Sequence, residues 1–277
     1  MPEPIFVRGC AFSLGSPQPV ESLLKDGTLS ALSYEDCIGR GITTFCAGDR
    51  PIATLSAVAV AETLSRADIA PEEIPRVVLK AQDCNAFAAG IEAAAEQIAR
   101  GAADPVLLVL AGHAPDGTSR YSPQLGTVFG DGAAACIVGS KRAGLEVIAV
   151  RSWMRPRLPQ PLMAAHPGEQ MLEDFQGLRN LLRTTYESAA ISPADVAAVF
   201  GTHGSRIYLE LMAEAADVPY EKVYARAMEE FGHVLACDNL VALAHSLQHP
   251  SPQRNRVFCL IGWSPASAGV VLLKELG

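Results

Sequence analysis

The chain has 277 residues, enough for one large core or two fused halves, and 49% of them are hydrophobic. Thirty acidic side chains against 22 basic ones give a net charge of −8, and no Lys/Arg-rich stretch exists to displace counterions from a phosphate backbone, which excludes nucleic acid as a partner. No apolar run approaches the length of a membrane span, and MPEPIFVRGC lacks the basic and apolar regions of a secretory signal, so a cytoplasmic protein with no membrane role is expected.

Apolar periodicity predicts a helix over 52–66 with Asp49 as its cap. A strand follows at 76–80, then an Ala-rich helix over 85–100 that Gly101 ends, then a buried strand at 106–110. Two apolar runs, Ala133–Val138 and Leu145–Val150, flank the turn-like Gly139-Ser140-Lys141-Arg142 and read as a hairpin. The Pro-rich stretch from Met154 to Pro161 reads as a linker, dividing the chain into halves at 1–150 and 151–277.

The order of elements then repeats. A helix is expected over 173–190, a strand at 197–200, a helix over 206–216, a short strand at 222–224 and a helix over 239–247. A closing hairpin pairs 257–261 with 269–273. Residues repeat as well: Ile69-Ala70-Pro71-Glu72-Glu73-Ile74 before Val77-Val78 matches Ile191-Ser192-Pro193-Ala194-Asp195-Val196 before Val199-Phe200, 122 positions on. An internal duplication of βα units places an active site between the halves.

Seven cysteines (Cys10, Cys37, Cys46, Cys84, Cys136, Cys237 and Cys259) form no CxxC pair and show no metal-ligand spacing. They fit a reducing compartment, and no metal site is expected. Cys84 stands apart, because it lies where a strand hands over to a helix. Backbone N–H groups and the helix dipole there favour a thiolate, the nucleophile of covalent acyl chemistry. His203 holds the same topological place in the second half, and His233 follows a glycine at a later helix start. Two imidazoles beside a thiol can hold its charge and stabilise an oxyanion or enolate. In Phe129-Gly130-Asp131-Gly132 the glycines are expected to take positive φ, while Asp131 ties the turn by accepting backbone N–H bonds. Asp238-Asn239 after Cys237 reads first as a helix-capping pair, with an orienting carboxylate for an imidazole as the alternative, and His113, His245 and His249 read as surface or packing residues.

The chain resembles the thiolase-fold condensing enzymes, specifically the ketoacyl synthase III group. The likeness is carried by Asp83-Cys84-Asn85-Ala86-Phe87-Ala88-Ala89-Gly90, by Phe129-Gly130-Asp131-Gly132-Ala133, by Thr202-His203-Gly204-Ser205, by Phe231-Gly232-His233 and by the closing Gly262-Trp263-Ser264 segment. It implies an α/β thiolase-like fold: duplicated βαβ halves with central mixed sheets packed around helices. It implies an acyltransferase or condensing enzyme of fatty-acid, polyketide or other secondary metabolism, with a Cys84, His203 and His233 set. Cys84 would take an acyl group from coenzyme A or an acyl carrier protein, and no cofactor beyond those thioesters is implied. An acidic carrier would need a basic patch, and Arg151, Arg155 and Arg157 are the nearest to one. The Cys84 N–H and an N–H from a turn at Gly262–Ser264 would form the oxyanion hole.

Two departures stand out. His233 replaces the asparagine usual in this group, which is compatible with condensation or with acyl shuttling alone. Only Ala81-Gln82-Asp83 separate the strand at 76–80 from Cys84, where the resembled enzymes place a helix and a further strand. Either the earlier or the later of two family strands is therefore lost, and the first half is shortened. That strand pairs across the family dimer, so a homodimer and a heterodimer with a longer ketosynthase are both expected alternatives. A non-catalytic partner subunit is the rival to an active enzyme.

Overall fold

The computed structural model describes residues 3–81, 83–114, 118–123, 126–155, 167–249, 255–265 and 267–276. Six strands and four helices precede the FGDG segment: β1 (Phe6–Leu14), β2 (Ser16–Pro19), α1 (Glu21–Lys25), α2 (Ala31–Gly39), β3 (Thr44–Ala47), α3 (Ile52–Ala67), β4 (Arg76–Ala81), α4 (Ala86–Ala99), β5 (Val106–Gly112) and β6 (Tyr121–Ser122). The short β7 (Thr127–Val128) leads into it, and β8 (Gly132–Gly139) and β9 (Leu145–Met154) follow. The rest is α5 (Pro167–Ala189), β10 (Val196–Gly201), α6 (Arg206–Ala215), α7 (Arg226–Phe231), α8 (Asp238–Leu247), β11 (Val257–Ser264) and β12 (Ser267–Glu275).

Eight strands form one sheet in the order β10-β11-β12-β9-β1-β8-β5-β4. Read outward from its centre, the two wings are the same. In each, the edge strand lies parallel to its neighbour and the inner pairs are antiparallel. The wings meet through two residue pairs, Phe6↔Glu146 and Val7↔Leu145. The 3-10 turns Pro71–Glu73 and Pro193–Asp195 precede the matching strands β4 and β10, and in both a carboxylate reaches back to a backbone N–H three residues earlier.

Both faces of the sheet are covered, so its inner strands are apolar throughout rather than alternating. Val106, Leu108 and Leu110 of β5 pack toward α4 and α8 with Phe87, Ile91, Leu240 and Leu243. Leu107 and Val109 of the same strand face Leu55, Ala59 and Leu64 of α3. In the second wing, Cys259 and Ile261 of β11 face Leu178 and Leu182 of α5 and Leu209 of α6, while Phe258 and Leu260 join the shared central core. Gly9 sits at a register break in β1 with φ +67, and a Cβ there would lie 2.6 Å from the Thr63 carbonyl oxygen of α3; only glycine fits that approach.

The structure departs from the sequence expectations in several elements of the fold. β8 and β9 do not form a hairpin, because β1 is inserted between them. A chain reversal seen in sequence cannot reveal which distant strand will fill the gap. β9 runs through position 150, where the division of the halves is expected, and pairs along its length with β12. Pro51, not Asp49, holds the cap position of α3, and Asp49 instead accepts a hydrogen bond from Ser16. The expected strand at 222–224 is a 3-10 turn followed by a single bridge, Val223 to Val199. Residues 156–161 of the expected linker, Arg157 among them, lie outside the described residues.

The duplication settles which strand the first half lacks. β4 pairs with β5 as β10 pairs with β11, so β4 is the counterpart of the strand that carries His203. After β10 the chain passes through α6, the Val223 bridge and α7 before reaching His233 and α8. After β4 it reaches Cys84 and α4 directly. The missing portion is the later strand and its helix, and its loss leaves an apolar edge: Val77 is 55% and Leu79 65% exposed, whereas Val199 of β10 is fully buried.

Candidate active site

Cys84 is set by the short hand-over from β4 to α4. Asp83 accepts a hydrogen bond from the Asn85 N–H at 3.0 Å and another from the Ser267 hydroxyl at 3.3 Å, pinning the loop to β12. The loop rests on two glycines that face each other across the β11–β12 pair, Gly262 and Gly269. A Cβ on Gly262 would fall 2.1 Å from the Cys84 carbonyl oxygen, and one on Gly269 would fall 1.7 Å from Asn85 Oδ1. The role of Gly262 is therefore close approach. Gly262 lies inside β11, which continues to Ser264, so the segment expected as a turn is strand. Ser264 bonds the Ser267 hydroxyl at 2.7 Å and so supports the hydroxyl that holds Asp83.

His203 follows β10. Thr202 Oγ1 accepts the Trp263 N–H at 3.0 Å, tying this segment to β11 directly beside Gly262. His233 follows Gly232, whose φ of +73 turns the chain out of α7. The His233 backbone is clasped by the FGDG segment: its N–H donates to Val128 at 3.0 Å and its carbonyl accepts from Gly130 at 2.8 Å. Its ring lies 5.5 Å from that of Phe129. The Thr127 hydroxyl donates to the His203 carbonyl at 3.2 Å, so one segment positions both histidines.

Gly130 and Gly132 do not take positive φ. They are small because the chain is crowded; a Cβ on Gly132 would come within 2.5 Å of Leu14. Asp131 is the tie expected of it, accepting from the Gly48 N–H at 2.5 Å, the Ala114 N–H at 3.0 Å and the Arg120 guanidinium at 2.6 Å. Burial opposes its charge, but these donors outweigh burial and hold its carboxyl below the usual range.

The structure brings Cys84, His203 and His233 together around a residue the sequence reading took for a cap. Asp238, the first residue of α8 and 1% exposed, receives the His233 ring Nδ1–H at 2.6 Å and the His203 backbone N–H at 2.7 Å on one oxygen. Its other oxygen receives the Val234 N–H at 2.7 Å and lies 3.3 Å from His203 Nδ1. The available signal was an acid five residues after a candidate histidine and at a helix start, where the dipole favours negative charge. Capping and charge-pairing look identical in one dimension.

Electrostatics divide the two imidazoles. Burial works against charge on His233, but the Asp238 carboxylate, its hydrogen bond and then Cys84 overcome it and raise the ring to about 10. Burial dominates at His203 and lowers it, with His233 adding to the effect and Asp238 offsetting part of it. Burial likewise opposes charge on Asp238, yet His233 and then His203 hold it below the usual carboxylate range. One carboxylate thus holds one proton, on His233, and leaves His203 neutral. Because His233 spends Nδ1 on Asp238, Nε2 is the ring nitrogen left for Cys84, which favours the charge on His233. His203 Nε2 is buried and has no protein partner; leaving such an atom unmatched costs about 1–3 kcal/mol. Among the described residues no cluster of three or more His, Cys, Asp and Glu side chains is arranged to hold a metal, and no helix is long and apolar enough to cross a membrane.

Residues 80–152 match the sequence profile of the family described as 3-Oxoacyl-[acyl-carrier-protein (ACP)] synthase III. A curated relative, the beta-ketoacyl-[acyl-carrier-protein] synthase III of Aquifex aeolicus (strain VF5), is 21% identical over 265 residues, covering 82% of this chain and 85% of its own. Among solved structures, ChlB3, described as an acyltransferase, superposes with a TM-score of 0.84 at 18% identity, covering 99% of this chain and 98% of its own. Cerulenin-bound OleA of Xanthomonas campestri gives 0.81 at 13% identity, covering 99% of both chains. Its sheet order, its duplicated halves and these likenesses together show a thiolase-like fold, similar to that of the ketoacyl synthase III proteins.

Proposed function

We propose that the chain is an acyltransferase that carries its acyl group on Cys84. The observation that supports this most is a buried relay in which Asp238 holds the His233 ring and the His203 backbone, and His233 lies beside Cys84. Cys84 sulfur attacks the carbonyl of an acyl thioester of coenzyme A or an acyl carrier protein, the carbon–sulfur bond to the donor breaks, and His233 gives its Nε2 proton to the departing thiol. The acyl group then passes to a second substrate. A non-catalytic partner subunit would have no need for four buried polar side chains to meet.

Acyl-CoA or a short acyl-pantetheine thioester is expected to add one acyl mass to the purified chain, located on Cys84 by peptide mapping. An adduct on another cysteine, or no adduct with any chain length tried, refutes the reading. Assembly is proposed to use the bare edge of β4, where a second copy adds a strand over Val77 and Leu79. Leu79→Lys should shift the particle from dimer to monomer in light scattering while leaving the melting temperature within a few degrees; an unchanged mass would remove β4 from the interface.

A further inference from the structure

Both imidazoles turn Nδ1 toward groups that can only accept. His233 Nδ1 faces Asp238 Oδ2 at 2.6 Å; the Leu235 N–H, at 3.4 Å from the same nitrogen, is too long to compete. His203 Nδ1 faces the Gly232 carbonyl at 3.2 Å and Asp238 Oδ1 at 3.3 Å. Each Nδ1 therefore carries a hydrogen; charged His233 keeps a second one on Nε2, whereas neutral His203 presents Nε2 as a bare lone pair. Stabilising an enolate by both imidazoles requires Nε2–H on both, and His203 lacks it. The second observation is independent: His203 Nε2 is a fully buried polar atom with no partner, so an acceptor of protons waits where a substrate donor would sit.

We propose, resting on the acyl-Cys84 reading above, that the acyl acceptor is a protic nucleophile (an O–H, N–H or S–H group) and that His203 is the base that takes its proton. The acceptor heteroatom bonds to the acyl carbon, its proton moves to His203 Nε2, and the bond from that carbon to Cys84 sulfur breaks with its electron pair left on sulfur. No oxidant, reductant or decarboxylation is required. The proton on His203 then returns to His233, restoring the starting arrangement. Charged and titratable neighbours of the two rings are Asp238, Cys84 and each other. Burial holds His203 neutral near pH 7, the state a base needs.

The test uses the full chain loaded with a hexanoyl group from hexanoyl-N-acetylcysteamine, followed by intact mass. The loaded chain, freed of the released thiol, is divided among a primary alcohol, a primary amine, N-acetylcysteamine as the control for reversal of loading, and malonyl-N-acetylcysteamine. The alcohol or the amine should discharge Cys84 ten-fold or more faster than water, with no carbon dioxide released from the malonyl arm. Compared per loaded molecule, His203→Gln should discharge to the alcohol or amine about 10²-fold or more slowly than the wild type, and its melting transition shows that it folds. Discharge by the malonyl thioester with carbon dioxide release and a carbon–carbon product, but not by protic acceptors, overturns the inference. So does a His203→Gln variant that discharges at the wild-type rate. If His203→Gln fails to load, the wild-type division among the four acceptors decides alone. A chain that never loads overturns the acyl-Cys84 reading itself.

Discussion

Asp238→Asn is expected to slow acylation of Cys84 by about 10²–10⁴-fold, the range set by the loss of an orienting carboxylate behind a catalytic imidazole. The substitution preserves size and removes a charge from a site that makes four contacts, all with N–H groups. An amide has one accepting oxygen, so its NH2 must confront either the Val234 N–H and the His203 ring or the His233 ring and the His203 N–H. If the NH2 faces His233, Nδ1 must accept and the ring is held neutral; if the oxygen faces it, the ring keeps Nδ1–H and, once neutral, presents a bare Nε2 toward Cys84. Stability should drop by about 1–3 kcal/mol, the cost of one unmatched buried donor. The pH profile separates orientation from simple unfolding. His233 is protonated up to about 10, and acylation that depends on that proton fades as pH rises through that value. In the variant the declining limb should move down toward the ordinary imidazole range near 6.5. Burst-phase acylation measured by intact mass across pH checks both effects. A variant that loads at the wild-type rate with an unmoved limb would mean Asp238 only caps α8.

Gly262→Ala is expected to cost at least about 10²-fold in acylation, because misplacing a reacting group by about 1 Å costs that much. The new methyl would lie 2.1 Å from the Cys84 carbonyl oxygen, 2.8 Å from its carbon and 2.9 Å from Asn85 Cα. All three are backbone atoms, so neither β11 nor the start of α4 can yield by a rotamer change. Overpacking of this kind costs about 1–3 kcal/mol. Gly269→Ala provides the comparison: its nearest neighbour is the Asn85 side-chain oxygen, which can swing aside, with the Ala88 methyl at 2.5 Å. Its loading rate should fall less. Thermal melts and loading rates on the two variants test the ordering, and equal rates would show that the nucleophile loop tolerates movement.

Much of the site was legible in the residues. Cys84 lies between a strand and a helix, His203 follows the matching strand, and Phe129-Gly130-Asp131-Gly132 is a compact signature, so chain order alone marked three reactive side chains and the segment that holds them. The repeat from Pro71 to Pro193 likewise exposed the duplication. Asp238 was misassigned because an acid at the first position of a helix already has a local explanation. The bonds that give it a second role come from His203, 35 residues away along the chain, and from His233. The supposed turn at Gly262–Ser264 failed for a related reason: a glycine in sequence signals either a backbone bend or a close neighbour, and the neighbour here, Cys84, is remote along the chain.

By itself, then, the sequence determined the α/β alternation and the duplication and marked Cys84, His203 and His233 as candidates, because local periodicity and residue chemistry are written along the chain. Only the tertiary structure decided which strands are neighbours, that β1 separates β8 from β9, and that β4 is a bare edge. It alone decided which ring nitrogen faces which acceptor, and therefore which histidine holds the proton. Those outcomes depend on distances between groups far apart in sequence, and Coulomb and hydrogen-bond energies respond to such distances and not to spacing along the chain.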